Sequence, residues 1–214
     1  MSIKYKYIDF TELESGDDFE LLIRELLYNK GLEVYWSGKG PDGGRDLLCI
    51  ENYNSEFKNS SKRWLVQCKN NAKSGNSVGR EDLGTIVNDC NIHNAEGYIL
   101  ICSIYPSSAA VEVLEGIEKN FGILTCFWDY KMIELMLMRP DNWSLINTFF
   151  PKSAKKIDLQ IAQLESDFWR ICYKGYVFYY SLRLGTNFNN YFYEAMERVS
   201  ELESLVLPEG HFCD

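Results

Sequence analysis

Asp46, Gln67 and Lys69 are the residues of this 214-residue chain whose types and spacing first suggest chemistry. Gln67 and Lys69 stand two apart at the end of the run Trp64-Leu65-Val66-Gln67-Cys68-Lys69, so in a strand both project to one face of a sheet. Asp46 opens the preceding run, Asp46-Leu47-Leu48-Cys49-Ile50, and a hairpin joining the two runs can bring it beside that pair. Glu20 lies one position off the apolar stripe of an upstream helix and can point at the sheet edge. A hard cation such as Mg²⁺ takes oxygen ligands at about 2.1 Å and keeps several waters. Asp46 would be its direct carboxylate ligand, with an amide oxygen or water-mediated contact from Gln67 and a further oxygen from the Cys68 carbonyl. Lys69 would orient an attacking water and favour its deprotonated form, or stabilise charge on a phosphate in the transition state.

The elements that must position these residues are legible as patterns. Phe19, Leu22, Ile23, Leu26 and Leu27 fall on one helical face, with Asp17 or Asp18 as the expected cap and Gly31 as the stop. Residues 32–36 alternate like a short strand, and residues 37–44 are dense in turn formers. The runs at 46–50 and 64–69 are then strands around a polar hairpin loop from Glu51 to Lys62. A helix follows, with Leu83, Ile86, Val87 and Cys90 on one side and Ser77 as its expected cap. The run from Tyr98 to Cys102 reads as a fully buried strand, residues 107–120 as a helix, and residues 123–128 as another apolar strand. The order α-β-β-β-α-β-α-β predicts an α/β fold with a mixed sheet flanked by helices, antiparallel in the 46–69 hairpin and parallel in the second half.

A second region begins near Pro140, where Pro140 and Pro151 bracket a short segment. Ser153 is the expected cap of a long helix, because Ile157, Ile161, Leu164, Phe168 and Ile171 repeat at steps of four and three. Gly175 and Gly185 interrupt that pattern. Eleven aromatic residues lie between Phe168 and Tyr193, but the tail beyond them is acidic, which favours helix packing or a protein interface over base stacking. The expected division is thus 1–140 for the chemistry and 141–214 for a helical extension.

Charge and cysteine usage narrow the classes. The formal charge is −9, which argues against nucleic-acid binding by bulk charge alone. Residues 57–80 nevertheless carry Lys58, Lys62, Arg63, Lys69, Lys73 and Arg80 with no acid, a local +6 against −15 for the remainder. Seven scattered cysteines form no C-x-x-C pair, so a disulfide framework or zinc site is not expected and a reducing cytoplasm is. No apolar stretch is long enough for a membrane span, and the N-terminus lacks the pattern of a secretory signal.

The ordered string Phe19-Glu20-x-Leu22, Leu26-Leu27, Gly31-x-x-Val34, Gly40-Pro41-Asp42-Gly43-Gly44-Arg45-Asp46 and Val66-Gln67-Cys68-Lys69 resembles the Mrr-like branch of the PD-(D/E)xK nuclease superfamily. The resemblance covers about residues 10 to 140. An aspartate followed by Q-x-K recurs by chance, and the Gly-Pro-Asp-Gly-Gly-x-Asp turn is the more specific part. The resemblance implies a restriction-endonuclease-like fold and a catalytic set of Glu20, Asp46, Gln67 and Lys69. It implies Mg²⁺, with Mn²⁺ able to substitute, held by Asp46, Gln67, the Cys68 carbonyl and Glu20, the last through water. The literal Pro-Asp dipeptide is Pro41-Asp42, but Asp42 sits in the turn, which leaves Asp46 as the ligand. Gln67 replaces an acid and removes one negative charge from the site, and Arg45 stands where an aliphatic residue is expected.

The implied activity is a divalent-metal-dependent endonuclease acting on DNA, double-stranded first of all, in prokaryotic defence. The protein would act as a homo-oligomer or as part of a larger defence protein, without a membrane partner. Lys73, Ser77 and Arg80 are the expected DNA contacts, Ser77 by turning a helix N-terminus toward a phosphate. The alternative is a non-catalytic nucleic-acid-binding or protein-interaction module on the same fold. An NTPase phosphate cradle is excluded at residues 37–44, which lack the G-K-[ST] ending and precede a strand instead of a helix. His93 and His211 are isolated and read as structural or exposed.

Overall fold

The computed structural model describes residues 7–36, 46–53, 56–181 and 191–204. The turn formers expected at 37–44, Arg45, Gly185, His211 and Cys213 lie outside the described residues. The first helix, α1 (Gly16–Asn29), buries the five residues of the expected stripe. Its cap is Ser15, not Asp17 or Asp18: Ser15 Oγ accepts from the Asp18 N–H at 3.1 Å while Asp18 Oδ2 accepts from the Ser15 N–H at 2.9 Å. That reciprocal box satisfies two orphan donors at once, which a lone aspartate cap does not. Gly31, at φ +81°, ends the helix as expected.

Five strands follow in sheet order β1 (Glu33–Trp36), β2 (Leu47–Tyr53), β3 (Ser60–Lys69), β4 (Gly97–Cys102) and β5 (Leu124–Trp128). β1 to β3 pair antiparallel, and β3 to β5 pair parallel. The β2–β3 hairpin is longer than expected, since β2 runs to Tyr53 and β3 starts at Ser60 within the polar stretch 51–62. Between β3 and β4 the expected helix is split. A 3-10 turn at Arg80–Leu83 and α2 (Ile86–His93) are separated by Gly84 at φ +66°, yet Leu83, Ile86 and Cys90 all face the core. α3 (Ser108–Phe121) joins β4 to β5, capped by the Ser107 side chain and closed by Gly122 in the left-handed region. Every residue of β4 is buried, because its two faces meet different cores. Ile99 and Ile101 join the core on the α1 side, while Tyr98, Leu100 and Cys102 join the core beneath α2 and α3.

Residues beyond 128 form α4 (Tyr130–Leu137), α5 (Trp143–Phe149) and α6 (Pro151–Ile157). The expected long helix through Ile171 does not form. Asp158, at φ +48°, ends α6, and β6 (Leu159–Glu165), β7 (Phe168–Tyr173) and β8 (Tyr176–Ser181) make an antiparallel sheet before α7 (Tyr191–Ser204). A strand keeps every second residue on one face, and here period two wins: Trp169, Ile171 and Tyr173 are buried while Leu164 is exposed. Aromatic and β-branched residues lose less side-chain freedom in a strand than in a helix. Lys174 and Gly175, both at positive φ (49° and 83°), form the two-residue turn of the β7–β8 hairpin, so the expected helix interruption is a hairpin bend. Ser153 is not a cap but a buried residue inside α6 whose Oγ donates to Glu12 Oε1 at 2.5 Å.

The aromatic cluster does pack, against a sheet as well as a helix: Trp169 meets Tyr180 and Tyr180 meets Phe192 at centroid separations of 5.9 and 6.5 Å. One continuous core runs from Ile8 to Val199, joining α1 and the large sheet to α4–α6, the small sheet and α7. The N-terminal segment is strapped to the later helices. Buried Glu134 accepts from the Tyr7 and Ile8 N–H groups at 2.7 and 2.8 Å, and Glu12 accepts from the Lys152 and Ser153 N–H groups at the start of α6. Among the described residues no helix is long and apolar enough to cross a membrane, and the six described cysteines are free.

Candidate active site

Asp46 sits where the β2–β3 ladder stops. The last paired residues are Leu47 and Val66, and Asp46 then closes the end with its own groups. Its N–H donates to the Val66 carbonyl at 3.2 Å, and its Oδ2 accepts from the Cys68 N–H at 2.5 Å. The carboxylate is therefore fixed against β3, next to the positions of Gln67 and Lys69. Those two share a face, as their spacing predicted, and both are half-buried. Gln67 Oε1 accepts from the Tyr98 hydroxyl, which reaches across from β4.

Cys68 points to the opposite face, and its thiol senses what surrounds it. Burial pushes it well above the usual thiol range, and the negative charges of Asp46 and Glu20 push it further, while Lys69 pulls it back. Glu20, on the second turn of α1, thus acts on the same point as Asp46 and Lys69. The structure brings Asp46, Gln67 and Lys69 to one end of β3, with Glu20 on α1 within electrostatic reach of Cys68. A protonated, buried thiol is a poor metal ligand. Among the described residues there is no group of three or more His, Cys, Asp or Glu able to hold a metal. The donors that remain are oxygens: the Asp46 carboxylate, the second lone pair of Gln67 Oε1, the Cys68 carbonyl and Glu20. That set suits a hard divalent cation and not a soft one.

Several residues that hold this end together escaped the sequence reading. Asn70, directly after Lys69, donates from Nδ2 to the Ser15 carbonyl at 3.2 Å and accepts at Oδ1 from Ser103 Oγ at 2.9 Å. It ties the end of β3 to the start of α1 and to the end of β4. Its adjacency to Lys69 was the only available signal, because the β3–β4 register that brings Ser103 and Tyr98 close is tertiary information.

The expected DNA contacts are dispersed. Lys73 is exposed, and its Nζ donates to the Glu14 carbonyl at 2.9 Å, just ahead of α1. Arg80 is exposed at the start of the 3-10 turn. Ser77 is half-buried and caps nothing: Gly79 occupies the cap position of that turn, with its N–H on Asp82 Oδ2 at 2.7 Å, and Thr85 precedes α2. Nor is the +6 stretch one patch. Arg63 is engaged with the His93 carbonyl and Lys62 lies over the Tyr53 ring, at the far end of β3. Six residues of strand, about 20 Å, separate Arg63 from Lys69. A cavity of about 170 Å³ lined by Trp64, Trp128 and Glu51 opens on the α1 face of the sheet.

Two solved structures are similar in part. The DNA modification-dependent restriction endonuclease AspBHI aligns at 11% identity over 73% of this chain and 44% of that one, with a TM-score of 0.40. The MspJI restriction endonuclease in complex with a 27-mer oligonucleotide aligns at 16% identity over 68% of this chain and 32% of that one, with a TM-score of 0.43. The chain thus spans less than half the length of either. No curated protein matches the sequence. Residues 12–133, more than half of the chain and the stretch that carries α1, the whole five-stranded sheet and the Asp46 centre, match the Mrr_cat restriction endonuclease family, and the chain belongs to that family.

Proposed function

We propose that this protein is a divalent-metal-dependent endonuclease that hydrolyses phosphodiester bonds of double-stranded DNA. Its setting is prokaryotic defence in the cytoplasm, as a restriction-type enzyme or as the effector part of a larger protein or homo-oligomer. The observation that carries this reading is the Asp46 carboxylate, fixed at the end of the β2–β3 ladder by the Cys68 N–H, with Gln67 and Lys69 beside it on β3.

A bound Mg²⁺ or Mn²⁺ would polarise the scissile phosphate and lower the pKa of a water molecule. Asp46, held against β3 by the Cys68 N–H, would bind that ion directly. Gln67 Oε1 and the Cys68 carbonyl would complete the protein side, and Glu20 would act through water. Lys69 orients the attacking water and offsets the charge that develops on the phosphate. Lys73, tied to the residue two ahead of α1, and Arg80, at the start of the 3-10 turn, bear on the DNA backbone. The segment after residue 140 is the coupling or oligomerisation element, and it acts on the centre through the core it shares with α1.

The test is nicking of supercoiled plasmid with Mg²⁺ or Mn²⁺, with EDTA, Asp46→Ala and Lys69→Ala as controls. Metal-dependent nicking that both substitutions abolish supports the assignment. Nicking that survives both would sink it.

A further inference from the structure

Tyr98 is 1% exposed and stands second in β4. The parallel register sets it opposite Leu65, two residues short of Gln67 on the same face of the sheet. The phenol spans that step, and its hydroxyl donates to Gln67 Oε1. Leu65, Leu100 and Cys90 of α2 share the core in which the ring is packed. The ring is enclosed by that core, and the hydroxyl is the one polar atom it carries to the Gln67 amide. Phenol and amide oxygen therefore meet one residue along β3 from the Cys68 N–H that holds the Asp46 carboxylate.

A glutamine in a metal site has a difficulty that a glutamate does not. The last torsion of its side chain is soft, and its two ends differ: one is an oxygen able to face a cation, the other an NH₂ group that repels it. Turning the Gln67 amide over would leave a buried phenolic O–H without its acceptor, which is costly. One lone pair of Oε1 is committed to Tyr98, and the other stays available.

We propose that Tyr98 is a positioning residue of the metal site, fixing the Gln67 amide so that its oxygen is the end presented to the cation. This rests on the reading of Asp46 and Gln67 as metal-binding residues given above. It also accounts for how a neutral side chain can serve where the resemblance leads one to expect an acid.

The test is calorimetric titration of Mn²⁺ into the full chain without DNA. Wild type would be compared with Tyr98→Phe, Gln67→Ala, Asp46→Ala and the Gln67→Glu protein with and without Tyr98→Phe. Loss of a group that orients a metal ligand typically weakens binding about 10- to 100-fold. Tyr98→Phe should do so in the wild-type background. In the Gln67→Glu background it should have little effect, because a carboxylate presents oxygen at either end. A structural defect caused by Tyr98→Phe would persist in both backgrounds. Mn²⁺ binding that Asp46→Ala abolishes but Tyr98→Phe leaves intact overturns the role of Tyr98 alone, as does an equal loss in both backgrounds. A wild-type protein that binds no Mn²⁺, or an Asp46→Ala protein that binds it normally, overturns the metal site itself and this proposal with it.

Discussion

The Asp46 carboxylate and the Cys68 backbone N–H are joined at 2.5 Å across the open end of the β2–β3 ladder, where strand pairing has already stopped. One side chain thus ends a hairpin and presents a charge. Asp46→Asn separates the two roles, because an amide oxygen can still accept from Cys68 but carries no full charge. Thermal melting of Asp46→Asn should match wild type within a few degrees while plasmid nicking falls by about 10³-fold. A comparable loss of stability would mean that the charge, and not only the hydrogen bond, holds the hairpin end.

Salt dependence should distinguish the two ends of β3. Lys73 lies at the end that carries Asp46, whereas Lys62 lies over Tyr53 at the other. With Lys73→Ala the slope of log binding constant against log salt should fall by about one. Lys62→Ala should leave it unchanged, and fluorescence anisotropy with a labelled duplex at several salt concentrations reads both.

The buried thiols set an alkaline limit. Burial pushes Cys49 and Cys102 up to about 12 and Cys90 and Cys126 up to about 11, and it also pushes Cys68 well above the usual thiol range. In the unfolded chain these groups ionise near pH 8.5. Above that pH the folded state binds more protons than the unfolded state, so stability falls as pH rises; below it the thiols contribute no slope. Urea midpoints should be flat with respect to these groups from pH 7 to 8 and decline from pH 8.5 to 10.5. Replacing Cys49 and Cys102 with alanine should make that decline shallower.

Gly97 is needed for contact and not for φ. A Cβ there would come 2.4 Å from Trp64 Cε3, and the indole cannot swing aside without losing its 3.0 Å bond to Glu51 Oε2. Gly97→Ala should cost about 1–3 kcal/mol. At about 2–4 °C per kcal/mol for a chain of this size, the melting temperature drops several degrees. In a Trp64→Ala background most of that cost should vanish.

Glu134, 4% exposed, receives two backbone N–H groups from the N-terminal segment. Glu134→Ala leaves both donors without this acceptor and should destabilise by about 2–5 kcal/mol in chemical denaturation. Glu134→Gln, which keeps an acceptor oxygen, should lose less than half as much.

Most described elements up to β5 were readable because they carry a local signature. The stripe of α1, the run at β4 and the Q-x-K spacing on β3 depend only on neighbours in sequence, and the parallel and antiparallel pairings follow from the connection lengths. Glu20, Asp46, Gln67 and Lys69 could be grouped for the same reason. The reading failed where two periods fit one string, at Ile157 to Ile171, and only burial against Phe192 and the main core decides for strands. Ser15 outcompeted Asp17 because a cap is chosen by geometry among several acceptable side chains. Tyr98 and Ser103 reach the centre through the β3–β4 register, which no local pattern encodes. The acidic straps from Glu12 and Glu134 span more than a hundred residues and leave no mark on either partner's neighbourhood.

Those straps, and the core that runs from Ile8 to Val199, also order events in time. Synthesis proceeds at about 5–20 residues per second. Lys69, last of the four candidate catalytic residues, is made well before Ser153, Met196 or Val199. The helix carrying Glu20 nevertheless rests on a core whose final members come late. A nascent chain therefore holds every reactive group long before it has the frame that aims them. Assembly of the centre waits for residues as late as Met196 and Val199, so a fragment from interrupted translation would carry the groups without their alignment.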